Sequence, residues 1–157
     1  MRPTASSDAA RVADELLAVA RDRARTNRFW QHLGIDVVDV REAWAKLRVD
    51  VRDELRNAPG APVHGAVYAA LVDAAIGCAL ATVHPESAGG VGQTTLDLNV
   101  SYLAAARGPT IFAEGTLLRR GRTVAFGEVR VTDEAGALLA VGRATYLMLS
   151  PRASGPS

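Results

Sequence analysis

The sequence predicts an α+β fold in which a curved antiparallel sheet wraps around one long central helix. Three observations carry that prediction. Residues Ala66 to Val83 are almost wholly apolar, broken by a single charge, Asp73, and nothing interrupts the run before His84-Pro85, where proline stops a helix. The chain beyond this run reads as strands and turns alone. Two further strand-like stretches precede it, so the order is helix, two strands, buried helix, four strands. A helix apolar on every side needs cover on most sides, and a strongly curved sheet supplies it.

The elements follow in order. Residues 1–7 are polar and are read as disordered. Ser7 or Asp8 is placed to cap a first helix, with Val12, Leu16 and Val19 or Ala20 on its apolar side and Arg11, Asp14, Glu15, Arg21, Asp22 and Arg23 opposite, ending near Thr26-Asn27. Phe29, Trp30 and Leu33 form a short apolar anchor, read as packing against the end of the sheet or as a wall over a pocket. Ile35 to Arg41 is a strand of imperfect alternation. Ala43 to Val51 alternates cleanly, with Ala43, Ala45, Leu47, Val49 and Val51 on one side and Trp44, Lys46, Arg48 and Asp50 on the other, the pattern of a half-buried antiparallel strand.

A loop, residues 52–63, with Pro59, Gly60 and Pro62, delivers the central helix at about His64. The length of that helix is borderline for a membrane span. Its Ala and Gly content, its acid and its sheet-like surroundings favour a core helix instead. Residues 86–92 are polar and glycine-rich, hence a connection. Thr94 to Leu103 then alternates, placing Leu96, Leu98, Val100 and Tyr102 on one face and Thr95, Asp97, Asn99 and Ser101 on the other, a second face that offers a further contact surface. Ile111 to Leu118, Val124 to Thr132 and Leu138 to Leu149 are the last strands, joined by a tight turn at Arg119-Arg120-Gly121-Arg122 and a hairpin turn at Asp133 to Gly136, where glycine supplies positive φ. This is the hotdog architecture. It divides the chain into an N-terminal helical extension at 1–28, the hotdog domain at 29–150 and a mobile Pro/Gly/Ser tail at 151–157.

Composition narrows the function. The 157 residues suffice for one domain with a substantial core, and 48% hydrophobic and 22% charged residues are ordinary for a globular chain. A net charge of +1 withholds the electrostatic footprint of nucleic-acid binding. The single cysteine, Cys78, excludes an internal disulfide and lies inside the apolar helix, where it reads as a small packed residue. His32, His64 and His84 lack metal-ligand spacing. Met1 to Ser7 leads into no apolar segment, so no secretory signal is expected and the chain is expected to be cytoplasmic and off the membrane.

Several motifs, taken together and in order, resemble the PaaI-type hotdog acyl-CoA thioesterases over Phe29 to Leu149. They are Leu33-Gly34-Ile35, Asn57, His64-Gly65, Leu71-Val72-Asp73-Ala74-Ala75, Thr95 to Val100 and Gly121-Arg122, with Asp73 nine residues after His64. The resemblance implies that the amide of Gly65 binds the thioester carbonyl and that Asp73 acts as general base or nucleophile. It also implies that His64 and Asn57 shape the site and that Thr95 positions water. Two departures stand out. Ala66 replaces the second glycine of a His-Gly-Gly pattern, and Asn57 precedes His64 by seven positions, not six. The implied substrate is an acyl-CoA with a small, medium or aryl acyl group. No cofactor is implied, since coenzyme A is part of the substrate.

Elementary geometry adds a constraint. A helix N-terminus offers free N–H groups and the positive end of a dipole, suited to a developing oxyanion. Asp73 lies eight residues beyond Gly65, roughly 12 Å along the axis at 1.5 Å per residue. One carbonyl cannot touch both groups of one helix, so joint action requires two subunits with Gly65 of one beside Asp73 of the other. A homodimer with two equivalent interface sites is therefore expected, and a tetramer as a dimer of dimers. Arg119, Arg120 and Arg122 crowd one turn, either as a solvated cluster or as contacts to coenzyme A phosphates. Asp73 also has a structural reading, an acid bonded to backbone amides or a hydroxyl, and His64 one as a loop cap. At the level of function, the alternatives are a non-catalytic acyl-CoA binder and a hydroxyacyl thioester dehydratase. The latter pairs a histidine before the loop with a helix glutamate, and no histidine lies between Trp44 and Val63.

Overall fold

The computed structural model of the protein describes residues 5–84 and 92–149, with side chains from residue 10 onward. In chain order, α1 is Ala5–Thr26, α2 Arg28–Leu33, β1 Ile35–Arg41, β2 Trp44–Asp50, α3 Gly65–Ala81, β3 Gln93–Tyr102, β4 Thr110–Arg120, β5 Val124–Asp133 and β6 Leu138–Met148, with a 3-10 turn at Asp53–Leu55. The expectations for residues 1–4, for most of the 86–92 connection and for the tail from 150 lie outside the described residues, whereas residues 5–7, read as disordered ahead of a cap at Ser7 or Asp8, already belong to α1.

The six strands form one sheet in the order β1-β2-β4-β5-β6-β3, and every neighbouring pair is antiparallel. Three hairpins account for β1–β2, β4–β5 and β5–β6. The crossover through α3 carries the chain from β2 to the far edge, where β3 pairs with β6. This is the curved hotdog sheet that the apolar run requires: α3 touches β1 through β6 and buries Val67, Tyr68, Leu71, Val72 and all of Ala74 to Leu80. The β2 residues Ala45, Leu47 and Val49 point into this core with no exposure, as their alternation predicts.

Small residues set how closely the helix approaches. A Cβ added at Gly115 of β4 would stand 2.8 Å from the carbonyl carbon of Ala75, which is backbone and cannot swing away. Added at Gly142 of β6, it would stand 2.5 Å from Val72 Cγ2. The far end of α3 is pinned as well. The Ala43 N–H donates to Thr82 Oγ1 at 2.8 Å, and that hydroxyl donates to Ala79 O at 2.7 Å.

Several details differ from the sequence expectation. In α1, Ala20 and Ala24 are buried and Leu16 and Leu17 half-buried, while Val12 and Val19 are 47% and 45% exposed. The helix is rolled so that its alanines make the close approach, and Arg23 lies 5.8 Å over the Trp30 ring. Trp30 and Leu33 are buried as an anchor, but Phe29 is exposed. The imperfect alternation of β1 is a register shift between Val37 and Asp39, where Arg21 Nε of α1 donates to Val37 O at 3.1 Å. Strand β4 runs on to Arg120: a shift between Leu117 and Arg119 lets Arg119 and Arg120 pair with Phe126 and Ala125, so both arginines lie in the strand and not in the turn.

Overpacking at the helix–sheet contact sets the first prediction. Gly115→Ala lowers stability by about 1–3 kcal/mol, seen as a fall in the thermal unfolding midpoint. An unchanged midpoint would mean that α3 does not rest on β4 at this distance.

Candidate active site

Asp73 is the only charged residue in α3 and is half-buried. A carboxylate in such surroundings requires hydrogen-bond donors, and the sheet edge provides two. Thr95 Oγ1 donates to Asp73 Oδ1 at 2.6 Å, and the Tyr146 hydroxyl lies 2.6 Å from the same oxygen and 2.7 Å from the backbone carbonyl of Asp73. Thr95 and Tyr146 are direct cross-strand partners on β3 and β6, so one rung of the ladder holds both donors.

Unbroken alternation would turn Thr95 outward with Asp97, Asn99 and Ser101. The sheet avoids this with a bulge: Thr95 pairs with Tyr146 and Asp97 with Thr145, leaving Leu96 as an extra residue. Beyond it, Leu98, Val100 and Tyr102 pair with the buried or inward-facing Ala144, Gly142 and Ala140, so the predicted alternation holds there. Asn99 and Ser101 join Glu128, Arg130 and Arg143 along an outward groove of about 450 Å³, on the opposite side of the sheet from Asp73.

Tyr146 is the site-lining residue that the sequence reading missed. Its ring is 4% exposed. Burial first, then the adjacent Asp73 charge and the bond to it, push the phenol well above its ordinary range, against smaller opposing effects of Thr95 and Arg23. It therefore stays protonated and acts as a donor. The available signal was one hydroxyl-bearing aromatic in the otherwise apolar end of β6. Cys78, fully buried, has its thiol pushed up to about 12 by burial, which makes it an unreactive packed residue as expected.

A second cluster forms at the start of α3. His64 is the N-cap, and its Nδ1 accepts from the Ala66 N–H at 3.0 Å, so the neutral ring carries its proton on Nε2. That bond uses the Ala66 amide, whereas the Gly65 N–H has no acceptor among the described residues. The preceding loop is closed by bonds from the Asn57 backbone N–H and side-chain Nδ2 to Pro62 O, at 3.1 and 3.2 Å. An open cleft of about 470 Å³ runs past Asn57, Pro62, Gly65, Tyr68, Tyr102 and Leu103. The two tyrosine rings stand 5.9 Å apart, and burial raises the Tyr68 phenol.

The structure thus brings Asp73 to Thr95, and Asn57 to the same cleft as Gly65, but Asp73 is absent from that cleft. Arg119, Arg120 and Arg122 are exposed around the β4–β5 hairpin and bond to neither group. Among the described residues, no cluster of metal-type ligands exists and no helix is long and apolar enough to cross a membrane.

Comparison with known proteins agrees with the fold. The family model described as the thioesterase superfamily matches residues 62–140. Human acyl-coenzyme A thioesterase 13 is 30% identical over 137 residues, covering 85% of this chain and 94% of that protein. A solved structure of a thioesterase superfamily protein superposes with a TM-score of 0.77 at 32% identity, covering 85% of this chain and 98% of that one. The Escherichia coli PaaI protein from the phenylacetic acid degradation operon shares the fold, with a TM-score of 0.75 at 15% identity over 88% of this chain and 96% of that one.

A pH prediction follows from the raised groups. Folding holds Cys78 and Tyr146 neutral above the values of an unfolded chain, so the Cys78 contribution is complete below about pH 9 and is lost as pH rises from 9 to about 12, while that of Tyr146 begins to fall only above pH 10. The unfolding midpoint falls across that window. Cys78→Ala starts lower, because of its cavity, but declines less steeply; parallel slopes for the two proteins would contradict the assignment.

Proposed function

The chain belongs to the thioesterase superfamily and is a thioester hydrolase, and from that premise we propose that it hydrolyses an acyl-CoA at sites shared between two subunits. The observation that carries this reading is the pairing of an unbonded Gly65 N–H at the helix start with an Asp73 carboxylate held for use, roughly 12 Å away along the same helix. In the dimer, Gly65 of one protomer donates to the developing oxyanion, assisted by the positive end of the α3 dipole. Asp73 of the other protomer acts as general base toward water or as nucleophile toward the carbonyl carbon. Because the Thr95 proton is directed to Asp73, the free lone pairs of its oxygen remain to receive a water. His64 fixes the helix opening by occupying the Ala66 amide, and Asn57 shapes the cleft wall.

The proposed subunit contact is the β3 edge. Leu96, Leu98, Tyr102 and Leu103 are exposed there by 57%, 39%, 55% and 57%, an uncovered apolar edge that an isolated chain would not be expected to leave open. A tetramer would be a dimer of such dimers. The substrate is proposed to be a small, medium or aryl acyl-CoA. The cleft beside Gly65 is walled by the rings of Tyr68 and Tyr102 together with the aliphatic Val63, Leu103, Ala104 and Ala105. Arg119, Arg120 and Arg122 are proposed to meet the coenzyme A phosphates, and no further cofactor is required.

Thiol release from benzoyl-CoA and hexanoyl-CoA provides the test. Asp73→Asn preserves an oxygen that accepts both hydroxyl bonds, so it folds normally, yet kcat falls by about 10²-fold or more. Undiminished turnover would end the reading. Gly65→Pro removes the donor at a first helical position, where proline is tolerated, and the extended His64, with φ −65° and ψ 136°, suits a following proline. Its expected loss is ~10²–10³-fold. Refolding these two inactive variants together restores about a quarter of wild-type activity, because half of the dimers are mixed and each mixed dimer has one intact site. A mixture as inactive as its parts would exclude sites shared between subunits.

A further inference from the structure

The Asp73 carboxylate is held asymmetrically. Both hydroxyl donors approach Oδ1, at 2.6 Å each, and Oδ2 has no partner among the described residues. We infer that Tyr146 is the positioning residue that decides which oxygen of Asp73 reacts, occupying Oδ1 together with Thr95 and leaving Oδ2 toward the thioester. This rests on the reading of Asp73 as base or nucleophile. Thr95 is exposed on the edge strand, whereas Tyr146 is anchored in the core, so the tyrosine supplies the rigid part of the hold. Its hydroxyl also meets the backbone carbonyl of the same aspartate, at 2.7 Å. A single phenol set against both the side chain and the main chain of Asp73 fixes the rotamer as well as the carboxylate plane.

The helix is built to admit that phenol. One turn beyond Asp73 is Gly77, and a Cβ there would stand 3.2 Å from the Tyr146 hydroxyl and 3.2 Å from Gln93 Nε2. Gln93 cannot readily retreat, because the same nitrogen donates to Gly77 O at 3.0 Å. A methyl group at this position would press the hydroxyl away from Asp73 without altering the tyrosine.

Three variants assayed on benzoyl-CoA and hexanoyl-CoA test the inference, with unfolding midpoints measured in parallel. Tyr146→Phe lowers kcat by about 10- to 100-fold, with KM changed by less than about twofold, since the lost bond orients the reacting group and does not touch bound substrate. Gly77→Ala shows the same split, lower kcat at constant KM. A merely structural tyrosine would lower the midpoint and leave kcat per folded molecule unchanged. If Asp73→Asn is inactive while Tyr146→Phe keeps wild-type kcat, the positioning role is wrong and the role of Asp73 stands. If Asp73→Asn is active, the underlying reading itself fails. Should Tyr146→Phe not fold, Gly77→Ala decides the matter: wild-type kcat, or an effect confined to KM, overturns the inference.

Discussion

The contact between the α3 backbone and the sheet governs this structure. With Gly115 beneath Ala75 and Gly142 beneath Val72, the helix lies nearer the strands than ordinary side chains permit. That proximity determines what the helix can carry. Its sheet-facing positions are small or snugly packed aliphatics, and a charge is tolerable only where the sheet itself presents hydroxyl groups. Thr95 and Tyr146 mark such a place, near the β3 edge, and Asp73 is opposite them. A helix seated farther away would separate the carboxylate from both donors, leaving a costly half-buried charge.

The two functional clusters use different properties of the same helix. At its start the backbone is unsatisfied, and the cap takes one amide while leaving its neighbour open. At its middle the backbone is fully engaged, and chemistry must come from a side chain. In the proposed mechanism each cluster supplies half of what acyl transfer needs, a donor for the oxyanion from one and a base or nucleophile from the other. The rigidity of a helix keeps the two about 12 Å apart within the chain, so the proposed mechanism makes the edge strand, with its exposed leucines, matter to catalysis as well as to the proposed assembly.

Much of the architecture was legible in the sequence because the signals are local. The apolar run bounded by His64 and His84-Pro85 gives α3, and strict alternation gives β2. The lone charge in α3 singled out Asp73, and the family resemblance added its partners. What escaped depends on relations between distant residues. Nothing near Tyr146 in the chain indicates that it faces an acid 73 positions earlier. The roll of α1 was undetermined because Val19 and Ala20 are adjacent and either could be read as inward, and only packing against β1 and α2 selects the alanines. Pairing with β5 extends β4 through Arg120, an outcome that a turn centred on Gly121 did not specify.

The surplus residue in β3 bears on how this chain should be aligned with its relatives. Leu96 is the one position between Gln93 and Tyr102 that the β6 ladder does not count. A protein lacking it would keep every rung and present the same hydroxyl to the same acid, so a gap placed there is structurally silent. Shift that gap by two positions toward Tyr102 and each side chain between the two points is equated with one on the opposite face. Aligned by residue count alone, the threonine would be matched to a solvent-facing neighbour and its partnership with the helix overlooked.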